Sequence, residues 1–218
     1  MPWGFWQDPL YMLYSLPAIL IGLTLHEFAH AYASHKLGDP TPQMTGRLSL
    51  NPLKHIDWMG FIMLILVGFG WAKPVVINPT YFKHRKSGEI IVSLAGVFTN
   101  LITAFIFSFV YFLIIAFATS PNEILMNILW QIIIINLALM LFNLIPIPPL
   151  DGWHVVKPFI KVRNFRIIWN FERFGFIILI ILLITPFVST YLRTGIDYIV
   201  RAFLQFWALI FGQPIIFQ

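Results

Sequence analysis

A long apolar stretch near the start of the chain contains a compact cluster of ionisable residues, His26-Glu27-Phe28-Ala29-His30. We predict that residues 9–37 form a helix that enters a membrane, because the stretch is long and follows an aromatic N-terminus. Positions i and i+4 share one face of a helix, so His26 and His30 can present two imidazole nitrogens to one zinc ion. Glu27 is then free to take a proton from a metal-bound water, as a zinc hydrolase requires.

The apolar surroundings strengthen the metal interpretation. Each ionisable group inside a bilayer costs on the order of 3 kcal/mol, so a cluster of three needs a compensating partner such as a metal ion. The alternative is that the three polar side chains satisfy one another where two helices cross.

Composition indicates an integral membrane protein. Of the 218 residues, 59% are hydrophobic and only 11% are charged, which leaves too little polar surface for a soluble globule. The net charge of +5 would suit nucleic acid, but the basic residues are scattered through short loops, so we expect no nucleic-acid partner.

There is no cysteine, so any further zinc ligand must be His, Asp or Glu. We expect one domain, residues 1–218, without a cleaved signal peptide, because cleavage would remove the cluster.

The apolar segments predict an all-α polytopic membrane protein with about five to six transmembrane helices. After the first helix, the clear spans are residues 89–118, 124–145 and 174–190, whereas residues 195–211 either span or lie in the interface. The run 58–72 has only 15 residues, which is too short for an ordinary span. We expect it to form a short re-entrant, β-like hairpin after the first helix.

The positions of Lys and Arg predict the orientation. If residues 58–72 do not cross, the loops 38–57, 73–88 and 148–173 and the end of the first helix hold 12 of the 14 basic residues. That side should be cytoplasmic, in a multi-pass protein of the cell or inner membrane. His26 lies about 27 Å along the first helix, near the far side of a hydrocarbon core about 30 Å thick. The site should therefore lie near the cytoplasmic face.

Asp151 is the expected third ligand. The helix 124–145 ends at a cluster of prolines, and its cytoplasmic end has the same depth as the end of the first helix. Asp151 can therefore meet His26 and His30, and two His with one Asp leave a fourth tetrahedral position for water. The competing interpretation is a turn residue before Gly152, which the prolines would favour.

Two asparagines within predicted helices, Asn100 and Asn143, are candidates to contact a substrate carbonyl or its oxyanion. Intramembrane Asn also joins helices through hydrogen bonds, and both interpretations stay open. The remaining histidines lie in or beside loops and are given no role.

Several stretches together resemble a known family, the site-2 protease group of intramembrane zinc metalloproteases. The three that carry the resemblance are H-E-F-A-H at 26–30, L-A-G-V-F-T-N at 94–100 and N-L-I-P-I-P-P-L-D-G at 143–152, similar to the family's N-x-x-P-x-P-x-L-D-G. Residues 47–57 and 70–75 resemble its compact bacterial and archaeal branch, which has no PDZ or CBS domain.

The resemblance implies a zinc metalloendopeptidase that cleaves transmembrane helices of other proteins near the cytosolic face, in regulated intramembrane proteolysis. It implies one Zn²⁺ per chain held by His26, His30 and Asp151, with Glu27 as the catalytic residue. The expected partners are a transmembrane protein or peptide substrate and the lipid bilayer, and a homo-oligomer is left open.

Three positions depart from the family pattern. Val97 replaces the usual Pro of A-G-P-x-x-N, Trp58 follows Asp57 where Pro is common, and Trp153 replaces a second Gly. None is an implied ligand, so the implied chemistry is unaffected, while the local helix geometry is left open.

Two other functions fit part of the pattern. A zinc or divalent-metal transporter also carries His-Glu-x-x-His-type helices, but it needs polar ligands in both halves of the membrane, and here they cluster at one depth. A di-iron hydroxylase needs more clustered histidines than the six scattered ones of this chain. The protease is therefore favoured, with the transporter as the alternative.

Overall fold

Eight α-helices make up most of the described part of the protein. The computed structural model describes residues 9–67, 70–160 and 165–213. In chain order the helices are α1 (Pro9–Lys36), α2 (Thr41–Met44), α3 (Trp58–Val67), α4 (Arg85–Phe117), α5 (Glu123–Asn143), α6 (Asp151–Val156), α7 (Phe165–Ile184) and α8 (Pro186–Phe211). Short 3-10 helices lie between them at Pro52–Lys54, Pro79–Tyr81 and Lys157–Phe159.

Five of these helices, α1, α4, α5, α7 and α8, are long and apolar enough to cross a membrane. Their lengths run from 20 to 33 residues, against about 20 needed to span the hydrocarbon core. No β-strand occurs in the described ranges. The predicted all-α polytopic membrane fold is confirmed.

Pro186 sets the boundary between the last two long helices. The sequence predicted one span over residues 174–190, whereas α7 ends at Ile184 and α8 begins at Pro186. Proline lacks an N–H and has a fixed φ, so it fits the first turn of a helix and not its interior. Thr185, with extended backbone, takes the position before it. The predicted span was therefore wrong in running through the proline.

Helices α1, α4 and α5 form the packed centre of the bundle, where each contacts the other two. Ile133 and Leu137 of α5 are fully buried in the main apolar cluster, and Ile19 of α1 joins a second one. Helix α8 contributes Ile196 to the main cluster and packs against α4 and α5. Outward-facing apolar residues such as Ile102 are exposed, as expected of helix faces that contact lipid.

The two ends of the segment that contains α3 lie side by side, and Leu64 of α3 packs against the second apolar cluster. An antiparallel bridge pairs Ile56 with Ala72, on either side of α3. Inside this hairpin the backbone at Gly60 lies so close to the Trp71 carbonyl that an added Cβ would collide with it. The described residues of the segment contain a helix, α3, and a single β-bridge, so the β-like form predicted for it was wrong. Its insertion into the bilayer as a re-entrant hairpin stays a prediction.

Single cysteines can test the orientation, because the chain has no native cysteine. Ser87, near the start of α4, and Ser120, beyond its end, are both exposed, and a helix of 33 residues is about 50 Å long. In intact cells, a membrane-impermeant thiol reagent should label Ser120→Cys and leave Ser87→Cys unlabelled until the membrane is opened. Labelling of both from the same side would contradict the topology.

Candidate metal centre

Three ligand atoms from two helices converge on one point. His26 and His30 lie one turn apart on α1, and their Nε2 atoms are 3.0 Å from each other. Asp151 begins α6, and its Oδ2 lies 3.2 Å from each of these nitrogens. In the part of the chain that the structure describes, this is the one such group of potential metal ligands. The geometry brings together the residues that the sequence singled out.

The arrangement fits a zinc ion. Both imidazoles are buried, and Asp151 Oδ2 is buried without a well-formed hydrogen bond from any described residue. Three buried acceptor atoms at such short distances repel one another unless a cation lies between them. Ligands about 2.0–2.1 Å from a tetrahedral zinc ion are roughly 3.3 Å apart, close to the observed spacing.

An oxygen from α4 holds the outer nitrogen of each imidazole. His30 Nδ1 lies 2.7 Å from the Val92 carbonyl oxygen, and His26 Nδ1 lies 2.6 Å from Asn100 Oδ1. Since a carbonyl oxygen only accepts hydrogen bonds, His30 carries its proton on Nδ1 and directs the Nε2 lone pair to the centre. The amide oxygen of Asn100 selects the same tautomer for His26.

Gly96 allows α4 to approach the two imidazoles. A Cβ at this position would lie 2.6 Å from both His26 Cε1 and His30 Nε2, closer than Cβ atoms approach in proteins. Any larger residue would therefore displace a ligand. Four small or polar residues of α4 are buried on this side of the helix, namely Ser93, Gly96, Asn100 and Thr103.

The chain between α5 and α6 places Asp151 beside His26 and His30. Helix α5 ends at Asn143, and the prolines that follow prevent a continuous helix until Asp151 begins α6. Gly152 packs against the backbone that follows α5, where a Cβ would collide with a carbonyl group. Trp153, one of the departures from the family pattern, is buried and donates its indole N–H to Glu172 of α7 at 2.9 Å. This hydrogen bond joins α6, which begins at Asp151, to α7.

Glu27 lies beside the ligands in a cavity of about 480 Å³. Its Oε2 accepts a hydrogen bond from the Val75 N–H at 3.1 Å. The cavity is also lined by the three ligand residues, by Asn143, and by the loop that carries Val75. The carboxylate of Glu27 and the three potential ligands therefore face the same space.

The two candidate asparagines have different surroundings. Asn143 lines the cavity, and its Nδ2 donates to the Leu139 carbonyl at 2.9 Å. Asn100 is fully buried, does not line this cavity, and forms hydrogen bonds with His26 and Asn136. Asn143 thus faces the cavity, whereas Asn100 contacts the imidazole of His26.

The histidines outside the ligand group have other surroundings. His154 lines the cavity, and burial lowers its pKa, which favours the neutral imidazole at pH 7. His55 is buried with its Nε2 2.7 Å from the Ser49 carbonyl oxygen, and His84 precedes α4. None of them is placed as a ligand.

Asp39 anchors the loop that carries Val75. It is fully buried, and its Oδ2 accepts hydrogen bonds from the Ser34 hydroxyl and the Asn78 N–H, each at 2.8 Å. Its Oδ1 accepts from the Thr41 N–H at 2.9 Å. Burial alone would raise the pKa of Asp39, but these hydrogen bonds to the carboxylate lower it below the usual 3.8. A charged side chain thus fixes the loop three residues after Val75.

Sequence reasoning missed the groups that orient the site. The Val92 carbonyl and the Val75 N–H are backbone atoms, so no residue type marks them. Asp39 and Asn136 are side chains, and the signal that could have identified them is a polar residue at a position that the fold buries completely.

Comparisons with known proteins agree with this geometry. A family model described as Peptidase family M50 matches residues 112–186, which include Asp151. The Bacillus subtilis protein named "Putative zinc metalloprotease YwhC" is 37% identical over 204 residues, which cover 88% of this chain and 91% of that protein. "Putative zinc metalloprotease Rip2" of Mycolicibacterium smegmatis is 32% identical, over 77% of this chain and 65% of that protein. "Putative zinc metalloprotease MJ0611" of Methanocaldococcus jannaschii is 34% identical, over 69% of this chain and 74% of that protein. No solved structure matches the chain.

Replacing Gly96 with Ala should weaken zinc binding, because the new methyl group must displace an imidazole at a cost of about 1–3 kcal/mol. Purified Gly96→Ala should lose zinc to a chelator, as His26→Ala and Asp151→Ala should. Gly195→Ala is the matched control, since its Cβ would meet only the flexible side chain of Leu141. One full equivalent of zinc in both His26→Ala and Asp151→Ala, measured by elemental analysis, would contradict the assignment of these residues as zinc ligands.

Replacing Asp39 with Ala should loosen the loop that holds Glu27 and lower turnover while zinc stays bound. Each hydrogen bond to the carboxylate contributes about 1.5–3 kcal/mol, and none of them involves a proposed ligand. Because the folded pKa is lowered, this stabilisation is present above pH 3.8 and is lost as the pH falls through the folded value.

The measurements are limited proteolysis of the loop, the unfolding temperature between pH 3 and pH 7, and turnover. Asp57→Ala is the control, because the Asp57 carboxylate accepts from the Gly60 N–H at the start of α3 and has no hydrogen bond to Val75 or Asn78. Equal proteolysis and equal turnover in the two variants would contradict the role of Asp39.

Proposed function

Because this chain belongs to peptidase family M50, we propose that it hydrolyses peptide bonds within transmembrane helices of other membrane proteins, near the cytoplasmic face. Membership makes it a zinc metalloendopeptidase of membranes, and regulated intramembrane proteolysis is the role we propose for it. The observation that carries the proposal is a carboxylate, Glu27, in the same cavity as three convergent potential ligands, two of them on the apolar helix α1.

We assign the metal-binding role to His26, His30 and Asp151. Two of them lie on the spanning helix α1, and the third is held at the same depth by the turn after α5. Bound there, zinc supplies a Lewis acid that lowers the pKa of a coordinated water and polarises the scissile carbonyl.

Glu27 acts as the general base. The Val75 N–H holds its Oε2, which fixes the carboxylate beside the ligands, where it accepts the proton of the attacking water and delivers it to the leaving amine. Asn143 uses one hydrogen of its amide for the Leu139 carbonyl and has a second to donate to the substrate carbonyl or its oxyanion.

The lining of the cavity supports access from the loop side of the bundle. Arg85, Glu89 and Lys157 line it together with the ligands, so water can reach a site that is otherwise enclosed by helices. A substrate helix must unwind before it is cut, because its carbonyls are hydrogen-bonded within the helix, and Gly, Pro or Asn near the cut should assist. We propose that substrate choice rests with this membrane domain or with a partner.

Glu27→Gln should keep the fold and one equivalent of zinc but lose proteolysis. Removing a positioned general base costs about 10²–10⁴ in rate, and an unreactive peptide bond leaves the remaining turnover hard to detect. The assay is cleavage of a single-span substrate with a Gly-Pro pair in its helix, reconstituted with the enzyme in liposomes. Glu123→Gln, at the other end of the bundle on α5, is the control.

Two outcomes would rule the mechanism out. One is cleavage at the wild-type rate by Glu27→Gln, which would remove the need for this base. The other is zinc flux across the same liposomes by the wild-type protein without any cleavage, which would favour a transporter.

A further inference from the structure

We propose that Asn136 is a positioning residue of the zinc site, which acts through Asn100 to fix the tautomer of His26. The inference rests on the zinc site of the proposed function and assigns a role to a residue that neither ligates zinc nor lines the cavity.

A chain of three hydrogen bonds runs from α5 through α4 to the first ligand. Asn136 Nδ2 donates to the Ile132 carbonyl at 2.8 Å, and Asn136 Oδ1 accepts from Asn100 Nδ2 at 2.8 Å. Asn100 Oδ1 then lies 2.6 Å from His26 Nδ1. Asn100 Nδ2 also donates to the Gly22 carbonyl on α1, at the longer distance of 3.2 Å. Both asparagines are fully buried.

Each amide has one orientation that satisfies its neighbours. The Ile132 carbonyl only accepts, so it requires the NH₂ group of Asn136 and turns the oxygen of Asn136 towards Asn100. That oxygen also only accepts, so it requires the NH₂ group of Asn100 and turns the oxygen of Asn100 towards His26. The direction of the chain is thus set by a backbone carbonyl of α5.

This direction decides whether His26 can bind a metal ion. An amide oxygen at Nδ1 requires the imidazole proton there and leaves the Nε2 lone pair for the centre. A rotated Asn100 would present N–H to Nδ1, which places the imidazole proton on Nε2 and removes that lone pair. Without Asn136, only the longer contact with Gly22 opposes this rotation.

Gln131 offers a matched comparison on the same helix. It is as deeply buried as Asn136 and carries the same amide, but its Oε1 has no hydrogen-bond partner among the described residues. A general effect of removing a buried amide from α5 should appear at both positions, whereas an effect on zinc should appear at Asn136 alone.

The test compares zinc loss from purified Asn136→Ala and Gln131→Ala during a chelator challenge, with the unfolding temperature measured in parallel. Losing a group that orients a ligand typically weakens metal binding 10–100-fold, and we expect about tenfold faster zinc loss for Asn136→Ala and no change for Gln131→Ala. With excess zinc, the KM of Asn136→Ala should equal that of the wild type, because Asn136 does not line the cavity. Equal zinc loss in the two variants would overturn the proposal.

Two further variants separate positioning from a loss of fold. Asn136→Asp keeps an acceptor towards Asn100 in either protonation state, so its zinc loss should stay within about twofold of the wild type. The double variant Asn100→Ala, Asn136→Ala should lose zinc no faster than Asn100→Ala alone, because Asn136 acts through Asn100. Fast zinc loss from folded Asn136→Asp would overturn the proposal. Zinc loss from the double variant that is clearly faster than that from Asn100→Ala would overturn it as well. Wild-type protein that binds no zinc would instead overturn the proposed function and this role together.

Discussion

The structure depends on bringing three acceptor atoms together inside a membrane bundle. Two imidazole nitrogens and a carboxylate oxygen face one another at 3.0–3.2 Å, and a zinc ion between them would make that contact favourable. Zinc bound there would join α6 to α1. The turn after α5 consists of prolines and of a glycine, Gly152, that packs against backbone, which limits where Asp151 can go.

Successive turns of α4 contact the two histidines of α1. Val92, Gly96 and Asn100 are spaced at i, i+4 and i+8, so they form one stripe, and the stripe presents an acceptor, a gap and a second acceptor. His30 meets the first acceptor and His26 the second, while Gly96 supplies the space between them. Close packing and ligand orientation are thus properties of the same helix face.

The sequence was sufficient to predict that His26, His30 and Asp151 come together, because their placement follows from helical geometry and topology. The i, i+4 spacing puts His26 and His30 on one face, and equal depth in the membrane brings Asp151 to them. Two other predictions needed information that spacing does not contain. The role of Asn100 depends on amide groups 36 and 78 residues away, and the break at Pro186 depends on where a helix can restart. Hydrogen-bond direction and helix boundaries are consequences of tertiary contacts, which a pattern of residue types does not specify.

The proposed metal-binding histidines and the proposed catalytic carboxylate are held by different parts of the chain. His26 and His30 are oriented by α4 and α5, whose contacts lie in the packed centre of the bundle. Glu27 is oriented by the Val75 N–H, on a loop whose position depends on the buried carboxylate of Asp39 outside the spans. Among the described residues, no hydrogen bond links the groups that orient the histidines to the loop that orients Glu27. A substitution that disturbs the loop can therefore leave the histidines in place. A variant that loses zinc therefore indicates a change in the packed helices α1, α4 and α5. A variant that keeps its zinc but has lower turnover indicates a change in the loop that carries Val75.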